Sequence, residues 1–254
     1  MPLRTGGERA TALITGAARR IGRAIALDLA AAGWCVAIHY RRSKDEADAL
    51  ADEIRAKGGE AAAIAADLSK PEDVKNLVPR CRDALGPPVC LVNNASEFLV
   101  DTITTATMEA WDGHLDINLR APVFLAQCLF LHLPEGAQGN VINIIDQRVW
   151  KLTPDFFSYT ISKAGLWTAT RTLAQALAPR VRVNAIGPGP VLKSIHQSDA
   201  DFAVEVQSTL LKRGPTPLEI AAAVRFILDA PAMTGQMIAL DGGQHLTWGG
   251  NDRH

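Results

Sequence analysis

The sequence predicts an α/β fold: a single doubly wound parallel sheet of about seven strands with helices on both faces. Three observations predict it. Short apolar runs alternate with longer helical ones along the chain. Many of those runs are almost wholly apolar, as strands covered on both faces must be. The first run ends in a glycine-bearing turn that opens a helix. Alternation repeated this often argues for a doubly wound sheet.

The strands are expected at ATALIT (10–15), CVAIHY (35–40), EAAAIAAD (60–67), VCLVNN (89–94), NVINII (140–145), VRVNAI (181–186) and QMIAL (236–240). Between them lie the helical stretches RIGRAIALDLAAAG, SKDEADALADEIRAKG and PEDVKNLVPRCRDAL, a long one near 108–132, and one from Ser158 to about Leu177. The segment 187–216 breaks the rhythm after the sixth strand. A mobile substrate loop with a short helix is expected there, because binding loops gather at strand C-termini in such sheets. No repeat, low-complexity tract or linker divides the chain, so residues 1–254 read as one domain.

Composition excludes several function classes. With 48% hydrophobic residues the chain is globular rather than disordered. A net charge of -1 gives no reason to expect nucleic acid or an anionic membrane as partner. Apolar runs fall far short of a membrane span, and the start MPLRTGGERATALITG lacks the apolar region of a signal peptide. Cys35, Cys81, Cys90 and Cys128 lie far apart with no CxxC pair, which reads as buried free thiols and a cytoplasmic location, with no metal site expected.

The turn after the first strand is TGAARRIG, residues 15–22. A tight turn opening into a helix presents backbone N–H groups and the positive end of the helix dipole, which together suit a pyrophosphate. Gly16 permits the turn, Arg20 and Ile21 follow it, and Gly22 lets the helix pack close to the sheet. An ordinary strand-to-helix turn is the competing explanation. The second strand ends in His39, Tyr40, Arg41, Arg42 and Ser43, where NAD-preferring sites place an acid for the ribose 2′-hydroxyl. Guanidinium forks and a hydroxyl suit a 2′-phosphate instead, so the expected cofactor is NADP(H). Singly, Arg41 or Arg42 could equally belong to a solvated basic turn. After the third strand Asp67 and Leu68 are placed to meet an adenine, though Asp67 could be a helix cap.

In this order and spacing, TG-x3-R-x-G, NNAS (93–96), Asn118 in DINL, YTISK (159–163) and GPGP (187–190) resemble the short-chain dehydrogenase/reductase family over residues 10 to 246. The resemblance implies a single Rossmann-type domain, a homotetramer, cofactor contacts at Asn94, Ala95, Ser96, Gly187, Pro188 and Gly189, and a proton-relay anchor at Asn118. The closer likeness is to pteridine reductases, with Arg20 at the usual middle glycine, Asp146 at the usual serine, and Phe98 four positions beyond Asn94. It implies that Arg20 reaches pyrophosphate and substrate, that Ser96 contacts ligand, and that Phe98 stacks on a pterin. Val191 departs from the pattern, where a small hydroxyl residue is expected.

Reduction of a C=N or C=O bond needs a hydride on carbon and a proton on the heteroatom. NADPH supplies the first. Tyr159 can supply the second, and Lys163, four residues on and beside it on a helix, is expected to lower the phenol pKa. By resemblance Lys163 also holds the nicotinamide ribose. An ionised Asp146 would keep the phenol protonated, while a protonated one could itself donate. Either state suits a basic, hydrogen-bonding ring, although the acid could merely cap the loop. Phe98 would contribute about 0.5–1.5 kcal/mol of stacking beyond burial, unless it belongs to the core. Trp150 and Phe156 flank this segment and are expected in the pocket. The tail LDGGQHLTWGG (240–250) is read as able to reach a neighbouring subunit.

The function expected is an NADPH-dependent reductase of a pterin-like small molecule of the dihydropterin, biopterin or dihydrofolate type. A carbonyl or 3-oxoacyl reductase and a non-catalytic nucleotide-sensing protein are the alternatives.

Overall fold

A computed structural model of the protein describes residues 9–194 and 197–248. The first eight residues, positions 195 and 196 of the expected substrate loop, and the last two residues of the LDGGQHLTWGG tail lie outside the described residues.

The strands are β1 (Thr11–Ile14), β2 (Cys35–Tyr40), β3 (Glu60–Ala65), β4 (Pro88–Asn93), β5 (Gly139–Ile144), β6 (Val181–Pro188) and β7 (Met237–Leu240). They pair in parallel in the order β3-β2-β1-β4-β5-β6-β7, each close to its expected segment. The chain starts in the middle of the sheet and winds to one edge, then returns to β4 and winds to the other. That reversal leaves a crevice at the C-terminal ends of β1 and β4, where such sheets bind their ligands.

The helices are α1 (Arg20–Ala31), α2 (Lys44–Ala56), α3 (Pro71–Leu85), α4 (Met108–Leu115), α5 (Ala121–His132), α6 (Phe157–Leu177), α7 (Asp199–Ser208) and α8 (Pro217–Asp229). The long helix expected near 108–132 is present without a break, but it is not regular α-helix throughout. Asp116–Arg120 widens into a π turn, closed by Ala121 N–H donating to the Asp116 carbonyl. The short helix expected within 187–216 is α7. Helix α8 was not among the expected segments. Its start is nevertheless written in sequence: Thr216 and Glu219 cap each other's backbone N–H, with Pro217 in the first turn.

Period-two alternation divides each central strand between two cores. Ala12 and Ile14 of β1 and Val36 and Ile38 of β2 pack with Ile25 and Leu29 of α1, Leu50 and Ile54 of α2, and Val224 and Ile227 of α8. Leu13 and Ala37 point the other way, against Leu77 of α3 and Leu125 and Leu129 of α5. Both faces are therefore buried, which is why these strands read as continuous apolar runs. All four cysteines are buried. No helix of the described residues is long and apolar enough to cross a membrane.

Candidate active site

A cavity of about 830 Å³ opens in that crevice. Its floor is the β1 turn, which β4 locks from below. Thr15 Oγ1 accepts the N–H groups of Asn94 and Ala95 at 2.9 and 3.0 Å, and Asn94 Nδ2 donates to the carbonyls of Thr15 and Gly16 at 2.9 and 3.1 Å. Gly16 has φ 62, the left-handed region glycine tolerates. A Cβ at Gly22 would lie 2.4 Å from the Gly16 carbonyl and 2.6 Å from Asn94 Nδ2, so only glycine lets α1 start this close to the turn. Arg19, at the N-cap of α1, supplies no side-chain acceptor. The first-turn N–H groups of α1 have no partner within the helix. Gly16, Arg20, Ile21 and Gly22 all line the cavity.

Arg20 itself has φ 55, an unfavourable conformation for a residue with a Cβ. Its guanidinium donates to the carbonyls of Leu192 and Lys193 at 3.0 and 2.9 Å, tying the turn to the loop after β6. Tyr40, Arg41, Arg42 and Ser43 form the far wall. Arg41 lies 3.6 Å from Glu97, whereas Arg42 has no ion-pair partner among the described residues. His39 is buried at 2% exposure and spends both ring nitrogens inside the protein. Its Nδ1 accepts from Gly16 N at 3.0 Å and its Nε2 faces the Ala66 carbonyl at 3.1 Å. Burial lowers its pKa to about 4, so it is a neutral strut beneath the turn. Leu68 lines the cavity, but Asp67 does not. The Asp67 carboxylate accepts from Ser69 N and Oγ, a local turn role like the cap considered from sequence.

On the opposite side, the phenol of Tyr159 donates to Asp146 Oδ2 at 3.0 Å, and Asp146 Oδ1 accepts from Arg148 N at 2.8 Å. Lys163, one helical turn from Tyr159, donates to the Ile144 carbonyl at 2.9 Å, with its Nζ 5.7 Å from the phenol ring centre. Tyr159, Lys163 and Asp146 all line the cavity. The acidification of the phenol expected from Lys163 is outweighed. Burial, and then the Asp146 charge, hold the Tyr159 pKa well above its ordinary value. Burial likewise raises Asp146 and lowers Lys163 to about 8, because a low-dielectric site disfavours each charged form. Arg148 is the largest opposing charge acting on both Asp146 and Tyr159.

Asn118 lies beneath the cavity, fully buried. The π turn aims its side chain at α6 and at the loop that follows β4: Nδ2 donates to the Glu97 carbonyl and to Ser162 Oγ, both at 3.0 Å, and Oδ1 accepts from Glu97 N and Ser96 Oγ. Phe98 stacks on Phe156 at 4.9 Å between ring centres and meets Tyr159 edge-on at 4.8 Å. Arg148 lies over the other ring of this pair, 4.6 Å from the centre of Phe156. Pro188, Gly189 and Val191 reach the cavity, whereas Gly187 sits below it against Met237. Trp150 is not in the pocket: it packs edge-on against Trp167 and His245 at the surface. Sequence reasoning missed Arg148 and left Glu97 without a role. A cationic residue two positions past Asp146 was the available signal for the first.

The description "short chain dehydrogenase" belongs to the family model that matches residues 10–202. A 3-oxoacyl-[acyl-carrier-protein] reductase, FabG, of Staphylococcus epidermidis is 34% identical over 241 residues, covering 93% of this chain and 99% of that one. Among solved structures, FolM alternative dihydrofolate reductase 1 from Brucella suis in complex with NADP is 52% identical with a TM-score of 0.93, covering 96% of this chain and 98% of that one. A blue fluorescent protein from a metagenomic library in complex with NADPH is 33% identical with a TM-score of 0.87, covering 93% and 98%.

Proposed function

We propose that this chain, which belongs to the short-chain dehydrogenase family, is an NADPH-dependent reductase of pterin-like heterocycles of the dihydropterin, biopterin or dihydrofolate type. The observation that carries the reading is the buried contact of Tyr159 with Asp146 at 3.0 Å, bordered by the Phe98 ring. A ketone reductase needs only a neutral hydroxyl beside its tyrosine. A carboxylate suits a ring whose nitrogens both accept and donate. Half of the sequence shared with a solved alternative dihydrofolate reductase supports the same assignment.

The residues fit a 2′-phosphorylated dinucleotide. The Gly16 turn and the start of α1 would take the pyrophosphate, and Arg42 with Ser43 would take the 2′-phosphate, since β2 is followed by arginines and a serine rather than the acid an NAD site places there. The bound cofactor supplies a hydride. Tyr159 gives a proton from its oxygen to the substrate heteroatom, and Asp146 retains that proton on the phenol until substrate is in place. Lys163 holds its charge next to the phenol and would bind the cofactor ribose. Asn118 fixes the Ser96–Glu97 backbone to α6, and Phe98 offers an aromatic face to a planar ring. Residues 187–216 are the substrate loop of this reading, and a homotetramer is its expected assembly.

A 3-oxoacyl reductase is the second reading, favoured by the identity with FabG over nearly the whole chain. Following NADPH oxidation with dihydrobiopterin, dihydrofolate and an acetoacetyl thioester side by side decides between them. Turnover of a pterin is the expected result. Turnover of the thioester alone would overturn the assignment, and nucleotide binding without any turnover would favour a sensor.

A further inference from the structure

Three buried polar residues under Tyr159 have no part in the proton chemistry above. His114 of α4 and Ser158 of α6 are fully buried, and Asp101 is 3% exposed. The N-cap of helix α6 is Phe156, which has φ 56 and offers no side-chain cap. Asp101, 57 residues before Ser158, does the capping instead. Its carboxylate accepts from Ser158 N at 3.2 and 3.3 Å and from Ser158 Oγ in a short hydrogen bond. His114 completes the cluster, with Nδ1 2.7 Å from Ser158 Oγ and Nε2 accepting from Leu99 N at 3.0 Å.

These contacts fix every proton. Leu99 N–H can only donate, so His114 Nε2 must carry the lone pair. Ser158 has one hydroxyl proton, and Asp101 takes it. His114 Nδ1 therefore carries the hydrogen and donates to Ser158 Oγ. A second proton on the ring would set Nε2–H against Leu99 N–H, two donors with no acceptor between them. Leu99 adjoins Phe98, whose ring meets Tyr159 and Phe156.

We infer that neutral His114 is a positioning residue that clamps the Phe98 segment onto the start of α6, and that its protonation loosens the substrate half of the site. The inference rests on the proposed placement of substrate against Phe98 and Tyr159. Four other ionisable groups face the imidazole: Asp101 and Glu97 from the loop after β4, and Lys163 and Tyr159 from α6. Burial lowers the His114 pKa from its ordinary 6.5, so the effect belongs to the acid side of neutrality.

His114→Gln keeps an amide able to donate to Ser158 and accept from Leu99, but it cannot titrate. His114→Leu keeps bulk and loses both contacts. KM for the pterin substrate and for NADPH should be measured with wild type and both variants from about pH 5 to pH 8. Wild type should show a substrate KM that rises about tenfold as pH falls, the scale of a buried donor left unsatisfied, with KM for NADPH flat. The Gln variant should match wild type near neutrality and lose that rise. The Leu variant should show the raised KM at every pH. An identical acid rise in wild type and the Gln variant would overturn the inference, as would a Leu variant with wild-type KM. Should Gln not fold, His114→Asn offers the same test. If wild type reduces only the thioester, the pterin assignment fails separately, and the same comparison is read with that substrate.

Discussion

Tyr159 donates its phenolic proton to Asp146 Oδ2 across 3.0 Å, so the group expected to protonate substrate is held in check by a buried acid. Asp146→Ser should therefore lower the phenol pKa, since the acid's charge is, after burial, the main cause of its elevation. The alkaline limb of the kcat/KM profile should move to lower pH by about one unit. Pterin turnover should fall by about tenfold or more. An unmoved profile would make the acid a spectator.

Tyr159→Phe keeps the ring that packs on Phe98 and removes only the proton. The kcat should fall by about 10²–10⁴-fold, the usual range for a lost general acid. NADPH binding, followed by fluorescence titration, should be unchanged. A parallel loss of binding would show that the hydroxyl helps to hold the nucleotide as well as supplying the proton.

The two arginines after β2 are not equivalent. Arg41 is shared with Glu97 at 3.6 Å, while Arg42 has no ion-pair partner among the described residues. Arg42→Asp should weaken NADPH by about tenfold or more and leave NADH nearly unaffected, as expected for a charge-assisted phosphate contact. Glu97→Gln should strengthen NADPH binding by no more than about fivefold, because exposed ion pairs are weak. Dissociation constants for both nucleotides check both statements.

Stability should fall with acid. The unfolded chain protonates His39 near 6.5, while the folded protein resists until about 4. Between those values the unfolded state binds more protons, so stability rises with pH across the window. A shift of that size is worth about 3 kcal/mol. Urea midpoints for wild type and His39→Gln at neutral and mildly acid pH should show the slope flattened in the variant.

The sheet was legible because seven apolar runs covered on both faces leave little ambiguity, and the β1 turn was legible because Gly16 and Gly22 are demanded by backbone geometry. The pairing of Tyr159 with Lys163 followed from helical spacing alone. Three things were not legible. His39 lies in a segment that reads as basic, yet only the tertiary structure shows that its nitrogens are consumed by Gly16 and Ala66. Whether Lys163 acidifies Tyr159 depends on burial, which spacing does not report, and in the structure burial dominates. Trp150 flanks Asp146 in sequence, but a short 3-10 turn over Gln147–Val149 carries it away from the cavity.

The widened turn at Asp116–Arg120 fits one more residue into a cycle of helix than α geometry allows. Past that point every side chain is rotated by roughly 100° from where an unbroken helix would aim it. Deleting a single residue there would straighten the rod at no cost in apolar content. It would also swing Asn118 off the line joining Glu97 to Ser162, severing the bridge between the two walls. The defect in regularity is thus what lets one amide span both sides of the crevice.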